Sequence, residues 1–485
     1  MTEFMKFPEG FWWGAATSGP QSEGDFDKAH DNVMDYWYKK DKNAFFEGVG
    51  PDIASDFYHH YKEDFADMKR IGFNSFRTSI QWSRLIKDLE TGEPDERAVD
   101  FYQHVIDEAK RNGIELIFNL HHFDLPIELL EKYGGWESRH VVDLYEKYAK
   151  TAFTCFGDSI SWWTTFNEPM VIPEAGYLYG FHFPNYQKKG KEAIKIMYHL
   201  NLASARCIAL YHDMQLQGKI GIILNLTPTY PATTGKKDKE AAEFADDFFN
   251  RSFLDPAVHG MFPETLLTLL KRDGVMCETR EEDMKLIQEH TVDFLGVNYY
   301  HPKRVKAPSK QKTDEAWMPD RYFEEYDWPD KRVNPYRGWE IYPEAMYDIA
   351  MNIMEHYDNI PWYVSENGMG VEEEDKYMDS EGMIQDDYRI EFYQEHLYWL
   401  YQAIQKGSHC FGYHTWAAMD CWSWNNAYKN RYGFLSIDLA TQKRTIKKSG
   451  YWYQNVSQQN GFTYDIKNEK ERIDSYENIT GIRIC

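Results

Sequence analysis

Residues 161–169 read SWWTTFNEP, and after an amphipathic stretch at 191–217 the chain enters a second run, KIGIILNL, at 219–226. The first run is aromatic and β-branched up to a turn at Asn-Glu-Pro, and the second is apolar and β-branched. With helical periodicity between them, they predict a parallel βαβ unit. The rhythm repeats in both directions. Further strand-like runs lie near 11–17 (FWWGAAT), 73–79 (FNSFRTS), 115–120, 292–298 (VDFLGVN), 361–365 (PWYVS) and 411–416 (FGYHTW), with helical patterns at 56–70, 98–113, 343–357 and 386–406.

Eight βα units without a linker or composition break predict an α/β fold, one closed (β/α)8 TIM barrel with long βα loops, spanning 1–485 as one domain. The polar stretches 302–340 and 367–385 follow strands six and seven, where barrel loops shape the mouth. Within the second, Glu372-Glu373-Glu374-Asp375 reads as solvated surface, and the polar residues 465–485 read as a tail or short cap outside the barrel. No GxGxxG or P-loop follows the first strand, which removes the commonest nucleotide-binding folds.

Of the 485 residues, 42% are apolar and 16% aromatic, enough for a large core or for surfaces that stack on flat ligands such as sugar rings. The formal net charge of -24 repels polyanionic backbones and anionic membranes, so neither nucleic acid nor membrane is expected as a partner. Cys155, Cys207, Cys277, Cys410, Cys421 and Cys485 form no CxxC pair, so no zinc site or disulfide framework is indicated. The opening MTEFMKFPEG lacks the apolar run of a signal peptide, and no stretch approaches a membrane span; a soluble, reducing, cytoplasmic setting is expected.

Strand four ends in Thr165-Phe166-Asn167-Glu168-Pro169 and strand seven in Val364-Ser365-Glu366-Asn367-Gly368. Either glutamate alone reads as a strand-end carboxylate bonded to a loop amide. Two of them, at matching ends of strands four and seven, suit the carboxyl pair of a retaining glycosidase, which sits about 5 Å apart, one group protonating the leaving oxygen and one attacking the anomeric carbon.

From about residue 7 to residue 455 the chain resembles family 1 glycoside hydrolases in motif content and order. The resemblance includes Phe11-Trp12-Trp13-Gly14-Ala15-Ala16-Thr17 with Gln21, Arg77 in SFRTSIQWSR, His122 in HHFDLP, TFNEP, Asn225, Asn298-Tyr299-Tyr300, SENG, and Trp416 before Asp420. It implies Glu168 as general acid/base and Glu366 as nucleophile, with Arg77 and the Tyr300 hydroxyl keeping Glu366 ionised and oriented. Asn167 would donate to the sugar 2-hydroxyl, Gln21 and His122 would clamp the nonreducing sugar by hydrogen bonds, and Trp416 would stack on it. Asn298 counts with these substrate-binding positions. Trp339 is expected as a wall of the aglycone side or as loop core. His121, beside His122, points to the opposite face; no third ligand accompanies the pair, and the family needs neither metal nor cofactor.

After strand eight the chain reads Met419-Asp420-Cys421-Trp422-Ser423-Trp424-Asn425-Asn426-Ala427-Tyr428-Lys429-Asn430-Arg431-Tyr432-Gly433. Relatives that hydrolyse plain glucosides resemble this segment but carry a glutamate at the Ser423 position. A carboxylate there would repel a phosphate on O6, whereas a hydroxyl, a lysine and a phenol all donate to it. The segment is similar to the 6-phospho-β-glucosidase and 6-phospho-β-galactosidase branch, which implies Ser423, Lys429 and Tyr432 as phosphate ligands. Many members of that branch read Lys-Arg-Tyr-Gly, so the lysine here is displaced by one place and either Lys429 or Asn430 fills its role.

Trp424 would lie by O3 and O4 of the sugar, where glucose and galactose differ. The expected partner is thus a small phosphorylated glycoside such as cellobiose 6'-phosphate or an aryl β-glucoside 6-phosphate. Alternatives are a 6-phospho-β-galactosidase or dual-specificity enzyme and, from another class, a noncatalytic sugar-binding barrel. A homo-oligomer is compatible with the sequence.

Overall fold

The computed structural model describes residues 2–310, 316–469 and 472–473. Eight parallel strands close into a barrel: β1 (Trp12–Ala16), β2 (Ser75–Ser79), β3 (Glu115–Asn119), β4 (Trp162–Asn167), β5 (Lys219–Asn225), β6 (Phe294–Asn298), β7 (Trp362–Asn367) and β8 (Cys410–Trp416). Each pairs with the next in chain order, and β8 returns to β1. Crossover helices run over the outside, among them Phe57–Ile71, Glu96–Arg111, Arg139–Phe156, Gly190–Asp213, Ala345–His356 and Asp387–Gln405. Among the described residues no helix is long and apolar enough to cross a membrane.

Strand β1 shows how the two faces differ. Trp13 points outward into the core between barrel and helices, with its ring centroid 5.8 Å from that of Tyr453. Trp12 points inward and meets Trp162 at 4.7 Å and Phe411 at 5.1 Å, and with Phe294 and Tyr363 these rings floor the barrel. One layer higher the interior turns polar. Gly14 leaves room for the hydrogen bond between Ser75 Oγ and the His414 ring, since a Cβ there would lie 2.5 Å from both groups. The apolar floor excludes water from below, and the polar layer prepares for charges above it.

Both strands that carry the candidate glutamates are bulged. In β4 the register with β5 slips between Thr164 and Asn167. Thr165 and Phe166 therefore both face outward, toward Ser204 and Tyr145, and Asn167 turns in. In β7 the register slips against both neighbours. Tyr363 and Ser365 share the interior, and the slip brings Glu366 inside as well. Strict alternation would have sent Glu366 to the helix side, and a bulge is the economical way to re-aim one side chain.

Outside the barrel, Thr2–Lys6 pairs antiparallel with Gly461–Asp465. The polar end expected as a tail thus begins as the close of a strand, followed by a short turn at Ile466–Glu469 where Glu469 accepts from Tyr464 and Arg472. Residues 470–471 and 474–485 lie outside the described residues.

The loops after β7 and β8 are tied together by a buried ionic hub. Arg389, wholly buried on the helix Asp387–Gln405, pairs with Glu374 and with Asp386 at 3.0 Å, and donates to the backbone carbonyls of Met369, Arg431 and Tyr432. Lys447 joins Glu374 to Asp420, and the Asp420 carboxylate accepts from the Gly433 amide. Glu374, expected on solvated surface, is 3% exposed because two cations compensate it. Arg389→Leu should strand two carboxylates in the interior and cost on the order of 3–5 kcal/mol. A fall in the denaturation midpoint in urea of less than about a tenth would contradict this role.

Candidate active site

The C-terminal ends of the strands converge on one cavity lined by Gln21, His122, Phe123, Asn167, Glu168, Asn225, Tyr300, His301, Arg337, Trp339, Glu366, Trp416, Ser423, Trp424 and Tyr432. Every strand but β2 sends a side chain to this wall from its end or the loop after it. Strand β2 contributes Arg77 one layer deeper. Asn298 stands just behind the wall.

Glu366 is 3% exposed and held at both oxygens. One pairs with the Arg77 guanidinium, and the other accepts from the Tyr300 hydroxyl at 2.6 Å. Arg77 also donates to the Thr17 carbonyl at 2.8 Å, so its plane is fixed by β1. Glu168 takes a left-handed backbone conformation, φ 46°, just past β4, and its carboxyl accepts from Asn298 Nδ2 at 2.7 Å. Asn298 reaches Asn167 Oδ1 as well, at 3.1 Å, and stands opposite Glu366 in the pairing of β6 with β7. The end of β6 therefore braces both carboxyl groups, through Asn298 for one and Tyr300 for the other.

The two carboxyl groups differ electrically. Burial pushes the Glu168 carboxyl up to about 8, the charge of Glu366 adds to this, and the hydrogen bond from Asn298 and the more distant Arg77 only partly offset it. Burial and the same Glu366 charge push the Tyr300 phenol up, so it stays a donor. A protonated Glu168 facing an ion-paired Glu366 is one acid and one base in a single pocket.

The His122 ring lies nearly parallel to Trp416 and Trp424, with centroids 6.3 Å and 6.0 Å away. Its Nε2 is 3.3 Å from the Asn167 amide, and its Nδ1 is buried without a partner. Burial, Arg77 and His121 all hold the imidazole well below its ordinary range, so it stays neutral. The Gln21 amide donates to the Trp422 carbonyl at 2.9 Å and accepts from Ser18 at 2.8 Å, which ties β1 to the loop after β8. Trp339 packs on Tyr300 and His301, centroids 5.4 Å and 5.1 Å apart, at the rim. His121 lies elsewhere, among Trp136, Tyr145 and Phe166 beside a separate apolar pocket. Among the described residues no three His, Cys, Asp or Glu side chains cluster to hold a metal ion.

Ser423 and Tyr432 line one corner of the cavity, and Gly370 makes room for Tyr432, because a Cβ there would sit 2.4 Å from its ring. Lys429 is not brought to this corner. Its ammonium lies 3.3 Å from Glu372 in a neighbouring acidic groove, 5.8 Å from the Phe46 ring centroid. Asn430 is 1% exposed, and its Oδ1 accepts from Arg337 at 3.4 Å. Phe123, His301 and Arg337 went unread in the sequence. All three belong to irregular loops, where no periodicity tells which side chain faces inward.

A family model described as glycosyl hydrolase family 1 matches residues 4–462. The chain is 52% identical over 465 residues to a Bacillus subtilis protein named 6-phospho-beta-glucosidase GmuD, covering 95% of this chain and 99% of that one. It is 34% identical to a Clostridium acetobutylicum 6-phospho-beta-galactosidase, over 93% of this chain and 97% of that one. Among solved structures, a family 1 β-glucosidase from Thermotoga maritima superposes with a TM-score of 0.86 at 33% identity, covering 96% of this chain and all of that one.

The raised Glu168 carboxyl means that the folded chain binds more protons than the unfolded chain between about 4.5 and about 8. Stability should therefore fall as pH rises through that window, by on the order of a few kcal/mol. Glu168→Gln should flatten that slope, read as the difference in urea midpoint between pH 5 and pH 8.5; an unaltered slope would count against a neutral Glu168.

Proposed function

The chain belongs to glycosyl hydrolase family 1, a family of retaining glycosidases, and on that premise we propose that it hydrolyses 6-phospho-β-D-glucosides with Glu168 as acid/base and Glu366 as nucleophile. The observation that carries the reading is the pairing of an Arg77-bound Glu366 with a Glu168 that has no cation beside it, at one cavity.

In the first step the Glu366 carboxylate attacks the anomeric carbon while Glu168 delivers its proton to the departing oxygen. A glycosyl ester forms on Glu366 and the aglycone leaves as an alcohol. The negative charge that opposed ionisation of Glu168 is then gone, so Glu168 is left as a carboxylate. It takes a proton from water as the water oxygen attacks the anomeric carbon, and Glu366 departs as carboxylate held by Arg77 and Tyr300. Asn167 donates to the 2-hydroxyl, a bond that strengthens as charge develops at the ring. Gln21 and the neutral His122 hold the other hydroxyls, Asn298 holds Glu168 in place, and Trp416 stacks on the sugar face.

Support for a phosphorylated sugar comes from the chemistry of the Ser423 and Tyr432 corner. Among the described residues the cavity's carboxylates are Glu168 and Glu366, and in this reading both are committed to the reaction. A hydroxyl and a phenol face the corner where a carboxylate would repel an anion, and the 52% identical relative carries the name of a 6-phospho-β-glucosidase. Trp424, in the same wall, bears on the O4 epimer.

With 4-nitrophenyl β-glucoside 6-phosphate, its unphosphorylated analogue and the galactose epimer as substrates, kcat/KM should favour the phosphorylated glucoside by roughly a hundredfold or more. Equal turnover with and without phosphate would remove the phosphate reading, and preference for the epimer would make the enzyme a galactosidase. Glu366→Gln should lose on the order of a thousandfold or more in kcat. Glu168→Gln should slow alkyl glycosides about 10² to 10⁴-fold and activated aryl ones far less. An equal loss on both would count against the acid role. Because the protonated form of Glu168 is the active one, kcat/KM should fall as pH rises through about 8.

A further inference from the structure

We propose that Arg337, in the loop after β6, supplies the cation that binds the substrate's 6-phosphate, with Asn430 positioning it. The inference rests on the phosphoglycoside reading above and assigns the charge that the displaced Lys429 does not bring to the site.

Arg337 lines the cavity together with Ser423 and Tyr432. Among the described residues no carboxylate lies within ion-pair distance of it; its hydrogen bond is to the neutral Asn430 Oδ1, at 3.4 Å. The other guanidinium of the site, Arg77, is neutralised by Glu366. Arg337 Nε and Asn430 Nδ2 are both buried donors without an acceptor. Two unpaired donors in one corner are costly unless something accepts from them. The Ser423 and Tyr432 hydroxyls make no side-chain hydrogen bond among the described residues either. A guanidinium, a hydroxyl and a phenol on the cavity wall, with the Asn430 amide behind the guanidinium, match a tetrahedral dianion.

The loop is built to hold Arg337 there. Asn334 closes a turn by accepting the amides of Gly338, at its carbonyl, and Tyr336, at its side chain, and its own amide donates to the Gly370 carbonyl at 2.9 Å. Gly338 supplies the left-handed conformation the turn needs, φ 71°. Just beyond, Arg304 grips Glu340 through three hydrogen bonds of 2.7 to 3.1 Å. The Arg337 guanidinium lies 4.2 Å from the Trp339 ring centroid, and Trp339 rests on Tyr300, which bonds Glu366. Phosphate capture and nucleophile orientation thus share one short stack of side chains.

The test compares the ratio of kcat/KM for 4-nitrophenyl β-glucoside 6-phosphate to that for 4-nitrophenyl β-glucoside in the wild type, Arg337→Met, Arg337→Lys and Lys429→Ala. Arg337→Met should lower the ratio at least roughly thirtyfold, chiefly through KM for the phosphorylated substrate, and Arg337→Lys should recover much of it. Lys429→Ala should leave the ratio within about threefold of wild type. Should Arg337→Met fail to fold, Arg337→Gln and inhibition by glucose 6-phosphate give the same reading, with an expected rise in Ki of similar size. A wild-type ratio near one would sink the phosphoglycoside reading and this assignment with it. A high wild-type ratio that survives in Arg337→Met, or that falls in Lys429→Ala instead, would overturn the arginine assignment alone.

Discussion

Everything at the mouth of the barrel follows from enclosing two carboxyl groups in one cavity. Only one of them receives a cation. Arg77, itself wholly buried, pairs with Glu366, and removing either partner would leave an uncompensated charge in the interior. Glu168 has an asparagine instead, and the charge of Glu366 as a neighbour, so it keeps its proton to about 8. The electrical difference between two identical side chains is thus a matter of which one the guanidinium reaches.

The same asymmetry explains why the end of β6 matters as much as the strands that carry the glutamates. Asn298 and Tyr300 send one hydrogen bond to each carboxyl group, from positions two residues apart on one segment. Moving that segment would change both carboxyl groups together. Trp339 packs on Tyr300 from the following loop and Arg337 stacks on Trp339, so the proposed anion-binding position is mechanically continuous with the two carboxyl groups.

Loops of this length need an internal skeleton, because few of their backbone groups are paired in strands or helices. Arg389 provides one, from a crossover helix rather than from the loops themselves, by binding Glu374 and three backbone carbonyls on the segments after β7 and β8. An acidic run that reads as solvated surface divides accordingly: Glu374 turns inward to two cations, and Glu372 meets Lys429 at the rim.

By itself the sequence determined the barrel. Alternating β-branched runs and amphipathic stretches report burial on both faces of a strand and one face of a helix, and all eight runs fall on the eight strands. It also pointed to Glu168 and Glu366, because residues at the ends of strands in a closed barrel must share one mouth, and its resemblance to family 1 glycoside hydrolases pointed to Arg77, Gln21, His122, Trp416, Ser423 and Tyr432. The tertiary structure alone decided what depends on bulges and loops. Glu366 enters the barrel through a register slip that a period of two does not encode, Lys429 is drawn off to Glu372, and Arg337 lines the same cavity as Ser423 and Tyr432. The physical reason is the same in each case: periodicity carries information only where the backbone repeats, and in a loop the direction of a side chain is set by distant partners such as Asn430, Gly370 and Arg389.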